Sequence, residues 1–137
     1  MAEYFNNYLT SRAYSPNQQQ DIVPKAGESI SSNGVGSRTS ESVVQLHSIY
    51  VSLKVDTNQT SNPTNNAAFI TLSVYDTSKN AEYPIAYNVM VLPHSSFYIE
   101  KTNTLKKKDK LIMRYSNTPV NTGNKTLSTV CSGVELY

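Results

Sequence analysis

The chain reads as all-β: an antiparallel β-sandwich or small barrel of about 6–8 strands with an extended N-terminal arm. Three observations predict it. Apolar residues alternate with period two in several short runs, the mark of half-buried antiparallel strands. Clusters of Asn, Ser, Thr, Gly and Pro separate those runs at short spacing. The connections are too short for crossover helices, and no long amphipathic helical pattern competes.

Residues 1–41 are expected to form the arm and residues 42–137 the sandwich domain. In the arm, Tyr4, Phe5, Tyr8, Leu9 and Tyr14 stand in a polar background. Tyr4 with Tyr8 and Phe5 with Leu9 sit at i,i+4, which suits a short amphipathic helix, ended by Ser15-Pro16-Asn17. Asp21–Val23 reads as a short edge strand stopped by Pro24, and Ser31–Ser37 as a flexible Gly/Ser hinge. Two readings of the arm stand side by side. It is a solvated tail, or it lies on a neighbouring subunit with Tyr4, Phe5, Tyr8, Tyr14, Ile22 and Val23 as its partner-binding residues. Aromatic side chains with few rotamers are efficient interface anchors.

The domain opens with Ser42–Val55, whose Ile49, Val51, Leu53 and Val55 make one face. Asp56–Asn66 is a turn-rich loop. Ala67–Asp76 follows, with Ile70, Leu72 and Val74 inward and Thr71, Ser73 and Tyr75 outward. Thr77–Asn80 makes a hairpin turn. Ile85–Leu92 places Ile85, Tyr87, Val89 and Val91 on one face and stops at Pro93, which has no N–H for a ladder. Ser95–Lys101 points Phe97 and Ile99 one way and Tyr98 and Glu100 the other. Lys110–Ser116 sets Leu111, Met113 and Tyr115 against Ile112 and Arg114. After the loop Asn117–Lys125, the strand Leu127–Tyr137 puts Val130, Val134 and Leu136 on one face.

Composition narrows the function classes. The 137 residues suit one domain, only 16% are charged and the net charge is +2. That is too weak and too scattered to predict nucleic-acid or membrane binding. Lys106, Lys107, Lys108 and Lys110 read as a solvated turn rather than a phosphate patch. Cys131 is the sole cysteine, so an intrachain disulfide is excluded and a buried thiol is expected. The first residues carry no basic n-region or apolar run, so no secretory signal is expected. Asn58 and Asn124 match glycosylation acceptors and are read as chance matches.

No catalytic motif emerges, and an enzyme is not expected. His47 alternates with Ile49 and Val51, which predicts a packed or half-buried imidazole; His94 follows Pro93 and is expected in solvent. Neither has Glu or Cys at zinc-ligand spacing. Ser95, His94 and Asp76 lack a nucleophile-elbow context. Gly34-Val35-Gly36 lacks the lysine of a phosphate loop. Asp56, Asp76, Asp109 and Glu100 lack EF-hand spacing for calcium. No cofactor or metal is predicted.

From His47 to Tyr137 the chain resembles small virion structural proteins of tailed, mainly marine, bacteriophages. The resemblance rests on a recurring order of phrases: His47–Ser52 (HSIYVS), Ile70–Asp76 (ITLSVYD), Tyr83–Phe97 (YPIAYNVMVLPHSSF), Thr104–Met113 (TLKKKDKLIM) and Ser132–Tyr137 (SGVELY). It covers about two-thirds of the chain and leaves the arm outside. It implies a β-sandwich accessory subunit of the virion, a head decoration, neck or tail part. Its expected partners are other virion proteins and further copies of itself. The alternative is a carbohydrate-binding or receptor-recognition module of a phage fibre, with Tyr50, Tyr75, Tyr87 and Tyr98 as candidate stacking rings.

Overall fold

The computed structural model describes residues 2–15, 17–30, 33–55, 67–100, 102–116 and 125–137. The expected loops Asp56–Asn66 and 117–124 lie outside them, and with these Asp56 and the acceptors Asn58 and Asn124. Ten strands run β1 (Glu3–Ala13), β2 (Gln19–Val23), β3 (Gly34–Val35), β4 (Val43–Val55), β5 (Ala68–Asp76), β6 (Ala81–Val91), β7 (Ser95–Ile99), β8 (Asn103–Leu105), β9 (Asp109–Tyr115) and β10 (Lys125–Leu136). No helix occurs among the described residues. Two antiparallel sheets form a β-sandwich. Sheet A has the order β3-β1-β10-β4-β7, with β8 also pairing β4; sheet B has the order β2-β9-β5-β6.

The division into an arm and a domain is corrected. Residues 3–13 form a strand that pairs antiparallel with β10 along its whole length, from Glu3 opposite Leu136 to Ala13 opposite Thr126. Asp21–Val23 does belong to an edge strand, β2, but of this chain's own sheet B. The helix expected near Tyr4–Leu9 is a strand because a spacing of four is also even. Residues i and i+4 share a strand face as readily as a helix face. Of the expected hinge, residues 33–37 are described and part of them is paired. Gly34 and Val35 pair with Thr10 and Leu9. A Cβ on Gly34 would meet the Leu9 carbonyl oxygen at 2.7 Å, so a glycine is what lets β3 approach.

Packing follows the alternation where the ladders are regular. Ile70, Leu72, Leu111, Met113 and Tyr115 are buried in the core, and Val74, Phe97 and Ile99 pack against it. Bulges decide where it fails. In β4, Ser48 pairs Ser132 but Leu46 pairs Gly133, so His47 is the extra residue of a bulge. It is exposed rather than packed. The slip also lets Val44 and Leu46 share the core face with Ile49, Val51, Leu53 and Val55. Gly133 is required there, since a Cβ would stand 2.6 Å from the Gln45 carbonyl oxygen. In β6 two register shifts lie opposite Ile70–Ser73. Ile85 and Ala86, expected on opposite faces, both pack against the core, whereas Tyr87, expected on the face of Ile85, is 77% exposed.

The core face of β10 is the one opposite Val130, Val134 and Leu136, and it buries Cys131 as expected. Lys125, Leu127, Thr129, Cys131 and Glu135 are buried, while Val130 is exposed and Val134 and Leu136 are half-buried. Polar groups occupy the inner face because each finds a partner. Thr129 bonds the Thr10 hydroxyl, Glu135 accepts from Asn6 Nδ2 at 3.1 Å and from the Thr39 backbone N–H, and Lys125 Nζ donates to the Ala67 carbonyl at 3.3 Å.

Two arginines join the layers, Arg38 buried and Arg12 half-buried. Arg38 donates to the carbonyls of Pro24 (2.9 Å), Asp109 (2.8 Å), Lys106 (3.1 Å) and Ser42 (2.7 Å). It thereby ties the sheet B residues after β2 and at β9 to the start of β4 in sheet A. Arg12 on β1 donates to Gln19 O and Gln20 Oε1 on β2. The lysine run forms the expected turn: Lys106, Lys107 and Lys108 are exposed, and Asp109 accepts the Lys106 backbone N–H at 3.0 Å.

Deleting residues 1–14 is therefore expected to abolish the cooperative thermal transition, which circular dichroism on heating would check. In the intact chain, Leu72→Ala should cost about 2–4 kcal/mol. Thr71→Ala should cost about 1 kcal/mol through loss of its bond from the Asn88 N–H. Urea titration measures both.

Candidate interaction surfaces

The six arm residues expected to bind partners divide by strand phase and place in the fold. Tyr8, Tyr14, Ile22 and Val23 are buried in this chain's own core. Tyr14 stacks on Tyr115 with ring centroids 5.5 Å apart and donates its hydroxyl to Ser116 O at 2.5 Å. Tyr4 is exposed and stacks on Tyr137 at 5.3 Å. Phe5 is 91% exposed. Of the six, Tyr4 and Phe5 alone remain open to a partner.

Registers place further apolar groups beside Phe5. Val35 pairs Leu9, Leu9 pairs Val130, Val130 pairs Tyr50, and Tyr50 pairs Tyr98. Directly opposed residues point to the same side of a sheet. These five therefore form one row across β3, β1, β10, β4 and β7 on the outer face of sheet A, and all five are exposed. Tyr50 and Tyr98 stack at 5.6 Å, and Tyr50 donates its hydroxyl to Glu100 at 3.0 Å. Along one side runs a row of hydroxyls, Ser11, Ser128, Ser52 and Ser96, in which Ser52 and Ser96 are bonded at 2.8 Å. On the other side Ser132 and Ser48 are bonded at 2.7 Å. Phe5 opposes Val134 one step further. Glu3 lies at one end of the face and Lys54 at the other, with Glu100 at the β7 edge.

The outer face of sheet B is different. A cavity of about 330 Å³ is lined by Thr71, Glu82, Tyr87, Arg114 and Ser116 among others. Arg114 donates from Nε and Nη2 to Glu82 Oε1, at 2.8 and 2.6 Å. This pairing holds the Glu82 carboxyl below the ordinary carboxylate range and Arg114 above its own.

The histidines bring no chemistry together. His94, in the turn that carries the chain from sheet B to sheet A, is exposed as expected. Asp76 lies at the far end of β5 from Ala68, which pairs Val91, so it stands on the order of 26 Å from that turn. Asp76 accepts from the Ser78 N–H and hydroxyl instead. Among the described residues no group of three or more His, Cys, Asp or Glu could hold a metal ion. No helix among them is long and apolar enough to cross a membrane. Arg38, Glu135 and the Glu82–Arg114 pair escaped sequence reasoning. Glu82 and Arg114 stand 32 residues apart, the partners of Glu135 lie 96 and 129 residues away, and Arg38 binds mainly backbone carbonyls, none of which local spacing signals.

Comparison with known proteins gives a likeness of fold. A chain in the crystal structure of the T13 IBDV viral particle matches 99% of this chain with a TM-score of 0.52 and 10% sequence identity. This chain spans 31% of the length of that one. No protein-family model and no curated protein matches.

Burial also sets a pH response. It raises the Cys131 thiol from an ordinary 9.0 to about 12 and the Tyr115 hydroxyl from 10.0 to about 12, and pushes Tyr8 up as well. The unfolded chain loses these protons first, so above about pH 9 it binds fewer protons than the folded one. Stability present below that pH should fall as pH rises towards 12. Cys131 alone contributes up to about 1.4 kcal/mol per pH unit in that window. Urea unfolding at successive pH values should show the decline. Cys131→Ala should begin it nearer pH 10, where tyrosines in the unfolded chain titrate.

Proposed function

We propose that this chain is a structural virion protein of a tailed bacteriophage, an accessory subunit of head, neck or tail that acts by binding and not by catalysis. One observation carries the reading: the five-strand apolar row on the outer face of sheet A, built from residues that the chain could have left polar. The fold likeness to a viral-particle chain supports it. So does the order of phrases from His47 to Tyr137, which resembles the phage group.

The row fits a second copy of the chain. It lies near mid-length of β1, at Leu9 between Glu3 and Ala13. A two-fold axis along the row lays it on itself and turns the Glu3 end of one copy towards the Lys54 end of the other. Such isologous pairing is the commonest closed symmetry. The face has a footprint on the order of 600 Å² before side-chain relief, close to the roughly 800 Å² each partner gives a standard interface.

Two measurements test this. Mass spectrometry of purified particles should find the chain as a stoichiometric component, and its absence from particles would sink the virion assignment. Analytical ultracentrifugation should show a dimer that Leu9→Lys and Val130→Lys each weaken by about a hundredfold or more, without lowering the thermal midpoint measured at concentrations where wild type and variants are all monomeric. A monomeric wild type at all concentrations would refute the self-pairing.

A further inference from the structure

We propose that the cavity on the outer face of sheet B is a binding site for a neutral saccharide, independent of the pairing face on sheet A. The site is built by the bulges of β6. Two register shifts against β5 leave extra residues between Pro84 and Val89, and the strand uses them to turn Tyr87 outward as an exposed wall of the cavity. Opposite it stands a fixed polar pair. Glu82 Oε1 takes both Arg114 bonds, and Oε2 takes the Ser73 hydroxyl at 2.8 Å. The carboxylate can accept from one sugar hydroxyl while the remaining guanidinium N–H groups donate to its neighbour. That is the pattern of a vicinal diol. The Tyr87 ring offers an apolar surface to the C–H face of the sugar.

The surroundings agree. Asn17 lines the cavity in the left-handed region, at φ 62°. Asn88 has φ 48°; its N–H is bonded to Thr71 and its side chain accepts from Ser116, both cavity residues. Asparagine tolerates these conformations better than most residues other than glycine. The volume of about 330 Å³ lies at the lower end of small-ligand sites, which suits one sugar ring or two. Charge selects the ligand. Arg114 is neutralised by Glu82, and Lys110 on the same strand is paired with Asp21 at 3.3 Å. No free cation remains among these groups for an acidic sugar, and the open aromatic wall beside a polar floor does not suit an apolar peptide.

Saturation-transfer NMR of the full chain against methyl glycosides of neutral hexoses and N-acetylhexosamines, with sialic and uronic acids alongside, tests this at millimolar concentration. Neutral glycosides should bind. Tyr87→Ala and Glu82→Gln should each weaken binding by about tenfold or more, and Tyr98→Ala on the opposite face should leave it unchanged. Tyr87 is exposed, so its variant should keep the wild-type thermal midpoint. The proposal fails if no neutral glycoside binds, if only acidic sugars bind, or if binding survives Tyr87→Ala.

Discussion

The antiparallel ladder between β1 and β10 is the contact on which the rest of the sandwich depends. β10 is the middle of sheet A, with β1 on one side and β4 on the other. Removing β1 would do more than free an edge. It would take Tyr8 from the core, leave β3 with no strand to pair, and deprive Thr129 and Glu135 of Thr10 and Asn6. Glu135 would keep the Thr39 N–H but lose Asn6, and a buried carboxylate that loses a donor costs about 1–3 kcal/mol. Arg38 then fastens what β1 positions, since its carbonyl partners come from both sheets. A fold held in this way has long-range contacts between its first and last strands, so it closes late and all at once.

The polar inner face of β10 links the core to the outer surface. A strand whose polar residues face the core and whose valines face water violates the binary pattern for an isolated sandwich. It is tolerated inside because Glu135, Thr129 and Lys125 each find a hydrogen-bond partner. Their presence frees the other face to carry Val130 and Val134. Local rules broken with compensation are the signature of a functional position. Here the broken rule lies at the centre of the apolar row.

Much of the fold was legible because period-two alternation survives wherever two strands pair without slippage. Ile70, Leu72, Leu111, Met113 and Phe97 fall on the expected side. The sequence was silent where geometry depends on distant residues. A bulge such as that at His47 requires knowing that Gly133 lies opposite. The N-terminal strand was hidden by having large apolar residues on both faces, Tyr4 and Tyr8 on one and Phe5 and Leu9 on the other, which blurs the alternation. The candidate surfaces were half legible. Tyr50, Tyr87 and Tyr98 stood out as rings, but Arg114 and Glu82 meet only through the adjacency of β5 with both β9 and β6.

The two outer faces differ in a way that lets one molecule use both. Sheet A presents hydroxyls and apolar groups with charges at its margins, the surface proposed to pair with a second copy. Sheet B presents a charged pair whose partners are fixed before any ligand arrives, so little ordering remains to oppose binding. Because the faces lie on opposite sides of the core, pairing through one leaves the other in solvent. A dimer would then show two cavities pointing away from each other. If each alone held a neutral sugar weakly, in the millimolar range common for shallow sites, linked copies on a particle could still grip a repeating glycan. Each further contact would act at the effective concentration set by the first. Weak single sites and a self-pairing face are in that sense complementary: pairing supplies the multiplicity that shallow recognition needs.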